Sequence, residues 1–166
     1  MRLFQLFVGV LLAVSIVLTA LPLPVQAASS AAIRAYDDAE TSLNDYSGQR
    51  LVRAEFTGAK LKGANFSKAD LQGAVFNSSD LVGANLRGAN LSNGIAYLTN
   101  LSDVDLSDAI LTSAMLLKSI FRNATVTGAD FSDAMLDRTQ VVQLCQTASG
   151  TNSVTGVDTR ESLGCR

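Results

Sequence analysis

Residues 51–90 read LVRAE FTGAK LKGAN FSKAD LQGAV FNSSD LVGAN LRGAN, and written in fives the stretch aligns with itself. A large apolar residue opens each step, and the register holds well beyond this stretch. It runs through Leu51, Phe56, Leu61, Phe66, Leu71, Phe76, Leu81, Leu86, Leu91 and Ala96, then Leu101, Leu106, Leu111, Leu116, Phe121, Val126, Phe131, Leu136 and Val141. None of these positions is polar, and two residues before all but Leu51 stands a small side chain, most often alanine. A helix needs apolar residues three and four apart and a strand needs them two apart, so a period of five fits neither. It fits a chain that turns a corner every five residues and points each large side chain at a shared axis. Four sides then make a coil of twenty residues, and Asn, Asp, Ser and Gly supply the corners. Gly58, Gly63, Gly73, Gly83, Gly88 and Gly128 recur two places after the centre, where a corner relaxes the limits on φ. About five coils at ~4.8 Å each give a rod ~23 Å long, stabilised by stacking of neighbours. Around Ser92–Leu98 the centre shrinks to Ala96, which predicts a bulge or small void and the weakest coil.

Outward from the repeat, the chain has 166 residues, room for one domain. Arg2 precedes an apolar run from Leu3 to Leu21, Pro22 and Pro24 follow, and Val25-Gln26-Ala27 offers small residues at a cleavage site. Residues 1–27 therefore read as a secretory signal peptide, with an uncleaved anchor as the alternative. The run also accounts for much of a mean hydropathy of +0.24. Cleavage removes one basic residue and leaves a net charge of −3, too mild for a nucleic-acid partner. Residues 28–45 read as an N-terminal helical cap, with Ile33 and Tyr36 spaced to touch the first coil. The β-helix is assigned to 46–141 and a C-terminal cap to 142–166. Asp137…Gln140 and Asp158…Glu161 are capping-box patterns. Cys145 and Cys165 read as a disulfide in an exported chain, because the absence of histidine leaves too few ligands for zinc.

The runs Gly-Ala-Asn-Phe (63–66), Lys-Ala-Asp-Leu (68–71), Gly-Ala-Asn-Leu (83–86) and Gly-Ala-Asp-Phe (128–131) resemble the A(D/N)LXX pentapeptide-repeat family. The resemblance implies an all-β solenoid, a right-handed quadrilateral β-helix, here with short helical caps. Its core is Leu51, Phe56, Leu61, Phe66, Leu71, Phe76, Leu81, Leu86, Leu91, Leu101, Leu106, Leu111, Leu116, Phe121, Phe131 and Leu136. The tail 144–165 and the segment 35–40 are similar to the thylakoid-lumen pentapeptide proteins of cyanobacteria and plastids. That narrower resemblance implies a lumenal or periplasmic protein of a cyanobacterium, with the two cysteines at the positions the group pairs.

Catalysis is not expected. Histidine is absent, and the aspartates that could pair, Asp103, Asp105 and Asp108 or Asp130, Asp133 and Asp137, occupy commonplace outward positions of the repeat. No cofactor, metal, nucleic acid or small-molecule substrate is implied. Positions twenty apart stack on one face, and one such column reads Glu55, Val75, Ile95, Met115, Met135, with Tyr97, Leu98 and Leu117 beside it. The corresponding columns on the other sides are mostly polar. A contiguous exposed apolar patch marks an interaction site unless a terminal segment covers it. The expected function is a noncatalytic scaffold or protein-interaction module docking through Val75, Ile95, Tyr97, Leu98, Met115, Leu117 and Met135. The partner is a protein, with a photosynthetic membrane complex or a second copy as candidates. The alternative is a thiol-redox regulator using Cys145 and Cys165. A DNA mimic that inhibits gyrase, as in some proteins of the family, is disfavoured by export and mild charge.

Overall fold

A computed structural model describes residues 44–166. Residues 1–27, expected to be a signal peptide, and nearly all of the expected cap 28–45, with Ile33 and Tyr36, lie outside the described residues.

Parallel bridges join residue to residue twenty apart, from Asp45–Asn65 to Met115–Met135, without a slip. The coil is therefore twenty residues long, as four five-residue sides require. The backbone explains why five residues make one side. The N–H of a centre donates to the next coil, as Phe56 does to Val75 O at 2.7 Å, and Val75 N–H donates back to Ala54 O at 2.9 Å. The chain then turns, and Ala59 N–H closes the corner on Phe56 O at 3.1 Å. The third corner residue is left-handed, with φ of +71° at Gly58. Glycine suits that conformation, yet Arg53, Lys68 and Leu98 hold it too, each at +57°. Each side contributes one bridging residue, so the β character consists of stacked single bridges, with no extended strand among the described residues.

The large side chains fill the axis. Phe66, Leu71, Phe76, Leu81, Leu86, Leu106, Leu111, Leu116, Phe121 and Phe131 are essentially inaccessible, and the alanines between them are buried with them. Phe56, Leu61, Leu91 and Leu101 are also buried, whereas Leu51 and Leu136 are half-buried because they belong to the end coils. Towards the N-terminal end the filling is aromatic. Tyr46 stacks on Phe66 at 4.7 Å and Phe56 on Phe76 at 4.8 Å, and the two stacks meet edge to face.

The bulge expected at Ser92–Leu98 is absent: Val75, Ile95 and Met115 bridge in register and Ala96 is buried. The irregularity sits at the corner instead. Buried hydroxyls line this edge of the rod, where Ser79 donates to Phe56 O, Thr99 to Phe76 O and Ser119 to Ala96 O. At the Ala96 corner Thr99 N–H takes Ser119 Oγ at 2.9 Å in place of the corner carbonyl. The small centre is thus accommodated by a hydroxyl relay and not by an extra residue.

The assignment of repeats up to 141 needs correction. The coil ends at Leu136, and helix α1, Arg138–Leu144, crosses its open end. Gln140 returns the capping contact by accepting Asp137 N–H. Its Nε2 donates to Leu116 O and Ser119 O at 2.8 and 2.7 Å, continuing the hydroxyl ladder with an amide. Gln140 is accordingly buried, although its place in the five-residue count puts it outside. Val141 likewise lies on the helix and is no repeat centre. A short helix α2, Thr159–Ser162, is capped by Asp158, whose carboxylate accepts from Arg160 and Glu161 N–H. The Cys145–Cys165 disulfide, with Cα atoms 5.6 Å apart, ties the ends of the two helices. Closing a loop of this length contributes ~3 kcal/mol on the chain-entropy account. Asn152 fixes the intervening loop, its buried amide donating to Gly128 O at 2.8 Å and its oxygen accepting from Val154 and Thr155 N–H.

In urea unfolding, Phe76→Ala is expected to lower stability by ~3–5 kcal/mol, since it removes a buried ring stacked on Phe56 and set edge to face with Phe66. Asn85→Ala is expected to cost only ~0.5–1.5 kcal/mol, the loss of one exposed cap to Arg87 N–H. Equal losses would contradict the inward and outward assignment.

Candidate functional site

Wherever the residue before a centre is Asp or Asn, its oxygen accepts the N–H two residues on. Asn65 serves Ser67, Asp80 serves Val82, Asn85 serves Arg87, Asn90 serves Ser92, Asn100 serves Ser102 and Asp105 serves Ser107. This is the Asx turn, and it explains why the repeat prefers those residues before the apolar centre. The sequence alone showed the preference without its cause.

One side lacks this cap. Val75, Ile95, Met115 and Met135 bridge one above the other and offer no acceptor. Tyr97 N–H reaches instead to Asn77 Oδ1 of the adjacent coil at 3.2 Å, and Asp137 N–H goes to Gln140. Met135 is 50% exposed, Leu98 53% and Tyr97 40%; Val75, Ile95, Met115 and Leu117 are half-buried by their stacked neighbours. All seven residues expected on the interaction face therefore lie on one side or its edge. Leu98 combines exposure with a left-handed corner, which for a leucine costs of the order of 1–2 kcal/mol. The neighbouring side adds Ile120, 54% exposed, which widens the patch beyond the expected set. The C-terminal loop packs elsewhere, through Ser149 O on Gly128 N–H and Ser162 Oγ on Phe131 N–H.

The aspartates do not converge. Asp103 receives Asn123 Nδ2, Asp105 caps Ser107, Asp108 pairs with Arg87 at 3.7 Å and Asp137 with Lys118 at 3.6 Å. Among the described residues no three acidic or cysteine side chains form a metal-sized cluster. Asp130 is the exception in burial. Burial by itself would raise its pKa, but the Ser132 hydroxyl and N–H, with Thr155 and Thr112, hold it below the usual carboxylate range. A cleft between α1 and the rod, lined by Phe121, Asn123, Gln143 and Thr147 among others, carries no charged group.

A stacked, twenty-residue coil of four five-residue sides, with Asx-capped corners recurring on three of them, defines a pentapeptide-repeat solenoid. The model for pentapeptide repeats matches residues 50–93 and 99–138 in eight copies, and the chain belongs to that family. The gap between the two matched stretches, 94–98, is the segment that carries Ile95, Tyr97 and Leu98. A pentapeptide-repeat protein of the Arabidopsis thaliana thylakoid lumen is similar in structure, with a TM-score of 0.65 and 41% identity, covering 74% of this chain and 85% of that one. The thylakoid lumenal protein TL20.3 of Arabidopsis is 62% identical over 42 residues, 25% of this chain and 15% of the relative. The thylakoid lumenal 15 kDa protein 1 of the same plant is 47% identical over 45 residues, 27% of this chain and 20% of the relative. The matched stretches thus span a fifth or less of those two curated relatives. The cyanobacterial pentapeptide-repeat protein Rfr23 from Cyanothece 51142 shares the fold at 23% identity and a TM-score of 0.51, covering 61% of this chain and 65% of that one.

Because the folded pKa of Asp130 lies below its unfolded value, its stabilising contribution is complete above about pH 4 and disappears as pH falls through the folded value. Asp130→Asn is therefore expected to lower the melting temperature at pH 7, and the deficit should shrink as pH falls below the ordinary carboxylate range. Thermal melts across that range check it; a deficit independent of pH would assign the loss to packing.

Proposed function

We propose that the protein is a noncatalytic protein-interaction module of the thylakoid lumen, a right-handed quadrilateral β-helix with helical caps that docks a protein through one apolar side. The observation that carries this reading is the column Val75–Ile95–Met115–Met135 with exposed Tyr97 and Leu98 beside it. Folding gives no reason for it. The column forgoes throughout its length the Asx caps that recur on the other sides, and among the described non-glycine left-handed corners Leu98 alone is apolar. The family pattern lapses over the same few residues, so the departure from the repeat and the exposed apolar surface coincide. A patch of this kind, rimmed by polar side chains, is a docking surface. The lumenal assignment is supported by the thylakoid-lumen relatives and by the secretory character of residues 1–27.

The test is a photocrosslinker at Leu98 in the native host, with and without Met115→Lys. Capture of a protein that disappears in the variant supports docking, and the melting temperature of Met115→Lys should stay within a few degrees of wild type. Undiminished capture, or a collapse of stability in the variant, would assign the column to folding alone.

A further inference from the structure

Charge is biased along the axis of the rod. Arg50, Arg53, Lys60, Lys62 and Lys68 lie on the coils at the N-terminal end beside Asp45, Glu55, Asp70 and Asp80, whereas Asp103, Asp105, Asp108, Asp130, Asp133 and Asp137 lie on the later coils beside Lys118 and Arg122. The edge of the apolar side repeats this pattern. Its corner positions stack as Arg53, Gly73, Asn93, Ser113 and Asp133, since Arg53 N–H donates to Gln72 O, Gly73 to Ser92 O, Asn93 to Thr112 O and Ser113 to Ser132 O. Arg53 and Asp133 therefore stand two coils on either side of Asn93, which is level with Ile95. Both are exposed, and among the described residues neither is in an ion pair. The Arg53 chain extends along the edge over Gly73, where a built Cβ would lie 3.3 Å from Arg53 Cγ.

We infer that the occupant of the apolar side is a second copy of this chain, packed antiparallel about a twofold axis level with Ile95. This rests on the docking reading above and names its partner. The twofold sets Ile95 against its own copy, Val75 against Met115, and Tyr97 and Leu98 against themselves, so apolar meets apolar through the centre. At each end of one edge it sets Arg53 against Asp133 of the partner subunit, and it sets Glu55 against Met135 of the partner subunit. A parallel pair would instead set basic end against basic end. An isologous contact requires self-complementarity of this kind. A face about 23 Å long and one five-residue side wide offers less area than a permanent dimer buries, so the pair is weak and concentration-dependent, and its rim charges make it sensitive to salt.

Sedimentation of the exported, purified protein over a wide concentration range tests it, with folding checked by circular dichroism. Wild type is expected to pass from monomer to dimer. Arg53→Asp alone and Asp133→Arg alone should each weaken pairing by at least about tenfold, because both edge contacts become like-charged. An equimolar mixture of the two variants should pair again, since every edge contact then joins opposite charges. The double variant should pair with itself for the same reason. Wild type that stays monomeric throughout overturns the inference, and so does a mixture that fails to recover. In either case the crosslinker at Leu98 separates the two claims. Capture of a different protein keeps docking and discards self-pairing, whereas no capture discards both.

Discussion

Everything in this molecule depends on the backbone bonds between coils. A side of five residues cannot satisfy its own amides, and a single coil cannot bury its own interior. Phe56 N–H finds its acceptor in Val75 and Val75 finds its own in Ala54, so each coil completes the one beside it. Stability is therefore a sum over neighbours, and each end is a break in that sum. The C-terminal break is repaired by side chains that imitate the missing coil. Gln140 supplies donors to Leu116 and Ser119 where the next corner would have stood, and Asn152 does the same for Gly128. These two amides, with the disulfide behind them, convert an open solenoid end into a closed one.

The same constraint gives the outer surface its freedom. Inward positions are set by the narrow axis, and the residue before each centre is guided by the Asx cap. A column that departs from that guidance does so against a small local cost. Val75, Ile95, Met115 and Met135 depart from it in succession on one side, and Leu98 departs at the adjoining corner. Regular sides need no explanation beyond folding. The irregular side does, and this is the physical ground for reading function there.

The five-residue register was legible in the sequence because only residues of one size class fit each inward slot. Phe66, Leu71 and Phe76 could be placed at the axis from spacing alone, and the stacking of Val75 on Ile95 followed from a twenty-residue coil. The end of the coil was not legible. Thr139 and Val141 continue the small-then-large pattern, so periodicity runs on past the point where the chain becomes helical. Burial of Gln140 was hidden for the same reason: its position in the count is outward, and only the carbonyls left open at the last coil draw it in. At Ala96 the sequence signalled a disturbance but not its form, because the relay through Ser119 depends on a residue more than one coil away.

By itself, then, the sequence determined the repeat, the inward set and the apolar column, since all three are consequences of a fixed period acting on side-chain size and polarity. The tertiary structure decided where the repeat stops, which polar groups become internal, and how exposed each apolar residue is. Those outcomes rest on which backbone donors and acceptors remain unpaired once the coils have stacked, and that depends on contacts between residues far apart in the chain.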